Sequence, residues 1–266
     1  MKIAENVNNL GTELVYDIFS KTKKLEAQGK KIIDLSLGQS AESPPEHVIE
    51  ATIKALRDGN NGYTVPNGIL ECREAVSRKI QKLYNAKISP DRIFIMPGGK
   101  PTMHYAISFF GEPGTEIIYP DPGFPIYESM IKYTGAKPVP YNLSDKDDFN
   151  INVEKILSLI NDKTRLFIIN NPHNPTGSFA DKSVIDKLAS GLLKFPNVAI
   201  LSDEIYGRLI FEKKEFPSFF NYPDLYERLI VLDGWSKTYA MTGWRLGWGV
   251  WPEKLLNKMF KFCVNN

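Results

Sequence analysis

The chain has 266 residues, 42% of them hydrophobic, which is enough to bury a large core in one or two domains. Its 33 basic and 31 acidic residues leave a net charge of +2 with no basic run, which argues against nucleic acid or an anionic membrane as the main partner. The longest apolar runs are far too short to cross a bilayer, and Met1 to Asn6 hold no apolar signal segment. Cys72 and Cys263 make no disulfide framework, and His47, His104 and His173 lack metal-binding spacing, so a reduced, cytoplasmic protein is expected.

Leu14, Val15, Ile18, Phe19 and Leu25 recur at helical spacing before Gly29, which predicts an amphipathic helix. Residues 32–37 read as a strand that delivers Gly38. Pro44 and Pro45 open a second helix, through Val48, Ile49, Ile53 and Leu56. A turn-rich loop over 60–68 carries Tyr63. A third helix presents Leu70, Val76, Ile80 and Leu83, and a short strand follows at 93–96. Gly98-Gly99-Lys100-Pro101-Thr102 turns that strand into the next helix. Such an outline is either a phosphate cradle, with glycine backbone and free N–H groups facing an anion, or a plain tight turn. It is not a Walker A loop, because the glycine six residues before a Lys-[Ser/Thr] pair is missing.

Strands and helices then alternate. Strands are predicted at 116–119, 137–141, 165–170, 198–202 and 229–232, and helices at 122–135, 153–160 and 181–194. The alternation predicts a mainly parallel sheet covered on both faces, with its strand-end loops on one edge. Residues 246–250 follow too closely for a crossover helix and are expected to run antiparallel to 229–232; a last helix spans 252–263. The expected fold is a three-layer α/β/α sandwich around a mainly parallel seven-stranded sheet whose last strand is antiparallel.

Open α/β sheets keep their sites at the carboxyl ends of the strands, where the sequence places Lys237. With Trp235, Tyr239 and Trp244 around it, this lysine is expected to be partly desolvated, which favours the nucleophilic amine that can form a Schiff base. The alternative is a surface lysine on a loop. Arg245 supplies a planar fork suited to phosphate. Three further loops share the edge. One carries Gly99 and Lys100. A second holds Asn174 between two prolines, as a rigid amide donor or a tight turn. The third brings Asp203 and Tyr206, where the aspartate could also serve as a helix cap. Phe124, in Asp121-Pro122-Gly123-Phe124-Pro125, either stacks on a ring or fills core.

Ser-Lys-Thr-Tyr-Ala-Met-Thr-Gly-Trp-Arg-Leu-Gly-Trp, from Ser236 to Trp248, resembles the lysine signature of class I/II aminotransferases, the aspartate aminotransferase-like enzymes of fold type I. Asn171-Pro172-His173-Asn174-Pro175-Thr176-Gly177 and Ser202-Asp203-Glu204-Ile205-Tyr206-Gly207 match in the family's order. The resemblance implies pyridoxal 5′-phosphate, bound to Lys237 as an aldimine, and transamination between an L-amino acid and a 2-oxo acid. It implies that Asp203 pairs with the pyridine nitrogen, Asn174 and Tyr206 contact the phenolate oxygen, and Phe124 stacks on the ring. Gly99, Lys100, Ser236 and Arg245 would bind the phosphate, Gly38 the substrate carboxylate, and Asn174 would also contact the substrate. Tyr63 would reach the neighbouring subunit's phosphate in a homodimer with shared active sites. A β-lyase acting on carbon–sulfur bonds would share every cofactor residue, and a non-catalytic regulatory module is the third reading.

Two departures from the family stand out. Gly234 occupies the place of a hydroxyl residue that usually binds phosphate, and no counterpart exists for the small-domain arginine that binds the substrate carboxylate. The domains expected are therefore an N-terminal arm with part of a small domain over 1–45 and a cofactor-binding large domain over 46–266. The C-terminal small domain is expected to be absent through truncation.

Overall fold

The computed structural model describes residues 1–11, 14–211 and 215–265; Asn266, the last residue of the expected large domain, lies outside them. Helices α1 (Leu14–Ala27), α2 (Glu46–Arg57) and α3 (Leu70–Tyr84) precede β1 (Ile93–Met96), α4 (Lys100–Phe110), β2 (Glu116–Asp121), α5 (Ile126–Thr134) and β3 (Lys137–Asn142). Then come α6 (Val153–Ser158), β4 (Thr164–Asn170), α7 (Lys182–Leu192), β5 (Ala199–Asp203), β6 (Leu229–Gly234), β7 (Gly247–Val250) and α8 (Leu256–Val264).

The seven strands form one sheet in the order β1-β7-β6-β5-β4-β2-β3. β2 to β6 run parallel, whereas β7 is antiparallel to both β6 and β1. The reversal of β7 was legible in the short connection after β6, which leaves no room for a crossover.

Side chains alternate across the strands, as a sheet buried on both faces requires. Phe167, Ile169, Ile200, Leu229 and Val231 pack with Val76 and Ile80 of α3, Ile156 of α6 and Leu188 of α7. Leu166, Ile168, Leu201, Ile230 and Leu232 point the other way, onto Ile107 of α4, Ile131 of α5 and Met259 of α8. The result is the three-layer sandwich expected. Among the described residues no helix is long and apolar enough to cross a membrane.

Three elements differ from expectation. Residues 32–37 form no strand; Ile33 and Leu35 are 86% and 89% exposed, and no described segment pairs with them, so their backbone lacks the ladder that defines a strand. The helix expected from Pro122 starts at Ile126, because the chain first makes a tight turn at Gly123, where a Cβ would lie 2.2 Å from the Pro120 carbonyl oxygen. The helix expected from Pro252 begins as a single 3₁₀ turn before α8. The N-terminal segment packs on α5, where the Gly11 N–H donates to Ser129 Oγ at 2.9 Å and Asn9 Nδ2 to the Lys132 carbonyl at 3.4 Å.

Candidate active site

Strand register puts the predicted loops at one level. Asn170 pairs with Asp203, Asp203 with Leu232, and Gly234 and Met96 flank the same residue, Gly247. The loops after β1, β4, β5 and β6 therefore all leave from one edge of the sheet.

Lys237 lies three residues beyond β6 and is half-buried. Its Nζ donates to the Gly38 carbonyl at 2.5 Å and lies 5.9 Å from the centroid of the Tyr206 ring. Burial, then the charges of Arg245 and Lys100, hold its pKa below the ordinary lysine value. The aromatic neighbours differ from those expected. The Tyr239 ring lies 5.8 Å from Lys79 Nζ, and Trp235 packs against the core on the α3 side.

Arg245 crosses the loop after β1. Its Nη1 donates to the Thr242 carbonyl at 2.8 Å and its Nη2 to the Pro97 carbonyl at 3.5 Å. Gly98 has φ +88°, and a Cβ there would stand 2.2 Å from Arg245 Nη2. Beneath it a Cβ on Gly247 would lie 2.6 Å from the Gly98 carbonyl carbon. Glycine at both places thus lets a guanidinium, a bare backbone turn and a central strand stack in contact. Gly99 caps α4, and Lys100 opens it with Nζ 5.4 Å from the Phe124 ring centroid and 5.5 Å from that of Tyr16. Lys237, Arg245 and Lys100 thus gather at a helix N-terminus, an arrangement that an anion with the charge of a phosphate would relieve.

The neighbouring strand end supplies the acid. Asp203 is buried, with Oδ2 accepting from the Tyr127 hydroxyl at 2.8 Å and Oδ1 from the Ile205 N–H at 3.2 Å. Burial pushes its carboxyl up to about 6 against those hydrogen bonds, and the nearby Asp233 charge adds to the rise. No helix directly follows Asp203, so the Ile205 N–H bond closes a local turn and is not the helix cap that the sequence also allowed; the other oxygen is left for Tyr127. Tyr206 is half-buried, and burial with the Asp203 charge raises its phenol to about 12.

Two residues tie these parts together that sequence reasoning passed over. Tyr127, in the first turn of α5, stands three residues after Phe124, and the two rings meet edge-on at 6.0 Å; an aromatic at that spacing was the available signal. Asn170 donates from Nδ2 to the Asp203 carbonyl at 3.0 Å and accepts the Asn174 N–H on Oδ1 at 2.8 Å. It thereby fixes the asparagine string to the aspartate loop. Its signal was adjacency to that string.

The structure brings Lys237, Gly38, Tyr206, Arg245, Lys100, Gly99, Phe124, Asp203 and Asn174 into one chain of contacts or shared strand ends. Ser236 is buried beside Lys237. Tyr63 stays out, fully exposed on its loop. Cations over a glycine turn, an aromatic ring and a buried carboxylate together match the phosphate, ring and pyridine nitrogen of pyridoxal phosphate, so the donor set fits that group.

The chain as a whole is similar to known proteins. Residues 30–262 match the family model for aminotransferase class I and II. The chain is 34% identical over 264 residues to the (5-formylfuran-3-yl)methyl phosphate transaminase of Methanocaldococcus jannaschii, covering 99% of this chain and 67% of that protein. It is 35% identical over 256 residues to the aspartate aminotransferase of Sulfolobus acidocaldarius, covering 96% of this chain and 63% of that one. Among solved structures, the aspartate aminotransferase from Thermus thermophilus with maleate superposes with a TM-score of 0.93 at 27% identity, over 100% of this chain and 69% of its own. The chain spans about two thirds of the length of these relatives.

Proposed function

We propose a function from one premise: the chain belongs to the aminotransferase class I and II family. The reading is transamination between an L-amino acid and a 2-oxo acid, with pyridoxal 5′-phosphate held at Lys237. The observation that carries it is a desolvated lysine amine set beside Arg245 and Lys100, with Asp203 buried at the next strand end.

Each residue then has a task. The Gly99 backbone, Lys100, Ser236 and Arg245 bind the phosphate, where the glycine turn lets the main chain approach. Phe124 packs on the ring face, Asn174 and Tyr206 take the phenolate oxygen, and Asp203 takes the pyridine nitrogen as its charged partner. When bound, the cofactor supplies an electron sink for the carbanion that forms at the substrate Cα. Lys237 Nζ would carry the proton between that Cα and the cofactor's C4′, and its lowered pKa keeps a share of the amine free to do so. Tyr127 orients Asp203 through its hydroxyl. The Gly38 main chain faces the substrate carboxylate. Tyr63, fully exposed in the single chain, reaches the phosphate site of a second copy in a homodimer.

The test is reconstitution with pyridoxal phosphate. The wild type is expected to gain a yellow, borohydride-reducible chromophore and Lys237→Ala to lose it; a variant that keeps the chromophore overturns the assignment. Glutamate formed from 2-oxoglutarate and an amino donor, rather than released pyruvate, marks transamination over β-elimination.

A further inference from the structure

Beneath the lysine loop lies a buried cation that the proposed chemistry leaves unused. Lys79 sits on α3 beside Ile80, with its side chain only 19% exposed and its Nζ sealed from solvent and without a hydrogen-bond partner. Asp233 Oδ2 lies 3.7 Å away, and the rings of Tyr239 and Trp248 stand at 5.8 Å and 6.0 Å. These neighbours bracket the lysine loop. Asp233 precedes Lys237 by four residues, Tyr239 follows it by two, and Trp248 is the cross-strand partner of Asp233.

A helix face turned toward a core is ordinarily apolar, and an ammonium buried there is unfavourable unless paired. This one is placed where a single group meets both ends of the loop and the strand beside it. Asp233 is itself buried, and its Oδ1 accepts the Gly234 N–H at 2.6 Å, so the pull of Lys79 acts directly on the start of the loop.

We propose that Lys79 is a positioning residue: paired with Asp233 and seated against Tyr239 and Trp248, it holds residues 234–239 against α3 and so keeps Lys237 Nζ beside the phosphate cradle. The proposal rests on the reading of Lys237 as the cofactor's anchor. The Asp233 carboxylate is faced by Lys79 and Tyr84 from α3, by Asp203 from β5, and by Glu204 and Arg208 from the segment after it. Lys237 is faced by Arg245, Lys100 and the Tyr206 ring.

The experiment compares the full chain with its Lys79→Met, Lys79→Arg and Asp233→Asn variants by pyridoxal phosphate titration and by the pH midpoint of Lys237 labelling in the apoprotein. Lys79→Met is expected to weaken cofactor binding about tenfold, a loss of about 1.4 kcal/mol. It is also expected to raise the labelling midpoint toward that of an exposed lysine as the loop hydrates. Lys79→Arg restores most of both. Asp233→Asn raises the midpoint as well, whereas mere loss of a negative charge would lower it. A wild type that fails to bind pyridoxal phosphate at Lys237 overturns the functional reading. A wild type that binds, beside a Lys79→Met variant with unchanged affinity and midpoint, overturns the positioning role. Should Lys79→Met not fold, the Lys79→Met/Asp233→Asn double variant leaves no unpaired charge buried, carries the same expectation and is refuted by the same result.

Discussion

Replacing Asp203 by asparagine is expected to make the apoprotein more stable while costing it its cofactor. The carboxyl is 5% exposed, and its pKa rises from the ordinary 3.8 to about 6 because burial outweighs the hydrogen bonds from Tyr127 and Ile205. An acid whose folded pKa exceeds its unfolded one binds more protons in the folded state between the two values. Asp203 therefore costs no stability below about pH 3.8, costs progressively more as pH rises, and reaches its full penalty above about 6. At about 1.4 kcal/mol per pH unit, that gap corresponds to about 3 kcal/mol. In Asp203→Asn, Oδ1 can still accept the Ile205 N–H, and Nδ2 can donate to the Tyr127 oxygen. The charge is removed with little change of shape.

At about pH 8 the apo variant should exceed the apo wild type by about 1 to 3 kcal/mol, or several degrees in Tm at about 2–4 °C per kcal/mol. The advantage should vanish near pH 4. Denaturant unfolding or calorimetry of both apoproteins across that range measures it, and titration with pyridoxal phosphate should show the variant binding more weakly. An apo variant no more stable than the wild type at about pH 8, or an advantage that does not change with pH, would refute the reasoning.

Tyr127→Phe removes the one side-chain hydroxyl that, among the described residues, is bonded to that carboxylate. It should push the Asp203 midpoint above its present value and lower stability at neutral pH by about 1.5 to 3 kcal/mol, the range for a hydrogen bond to a charged group; unfolding against pH reads both. Gly247→Ala would set a Cβ 2.6 Å from the Gly98 carbonyl carbon, a backbone atom that cannot swing aside, and should cost about 1 to 3 kcal/mol and weaken phosphate binding. Gly243→Ala, with nothing within 4 Å of its new Cβ, should stay within about 0.5 kcal/mol of the wild type by the same denaturant assay. Burial and the neighbouring charges of Arg245 and Lys100 lower the Lys237 pKa, whereas the Glu26 hydrogen bond raises that of Lys23. Peptide mapping after brief acylation at mildly alkaline pH should therefore show Lys237 modified before Lys23. Equal rates would contradict the geometry.

Much of the sheet could be read in advance because Phe167, Ile200 and Val231 belong to short apolar runs that only a strand covered on both faces can bury. The same reasoning failed at 32–37, since alternation supplies a face but not the neighbouring strand that closes the ladder. The motifs that hold Lys237, Asp203 and Asn174 were legible, and the structure sets the aspartate at the last position of β5 and the other two three and four residues past a strand. Tyr127 and Asn170 were not, because what they do depends on partners 76 and 33 residues away, a distance no local pattern encodes. Lys79 was invisible for a related reason. In a helix of charged and apolar residues it reads as one more solvated lysine until β6 and β7 are folded against it.

The bond between the Gly38 carbonyl and the Lys237 amine joins residues 199 positions apart, one at the margin of the N-terminal segment and one past the sixth strand. A ribosome delivers the first partner long before the second exists, so the backbone at Gly38 must wait, unanchored at that point, until nearly all of the sheet has been translated. That contact is thereby a late event in the life of each nascent molecule: a chain released short of β6 could still dock its first residues on α5 but would lack the amine that Gly38 meets.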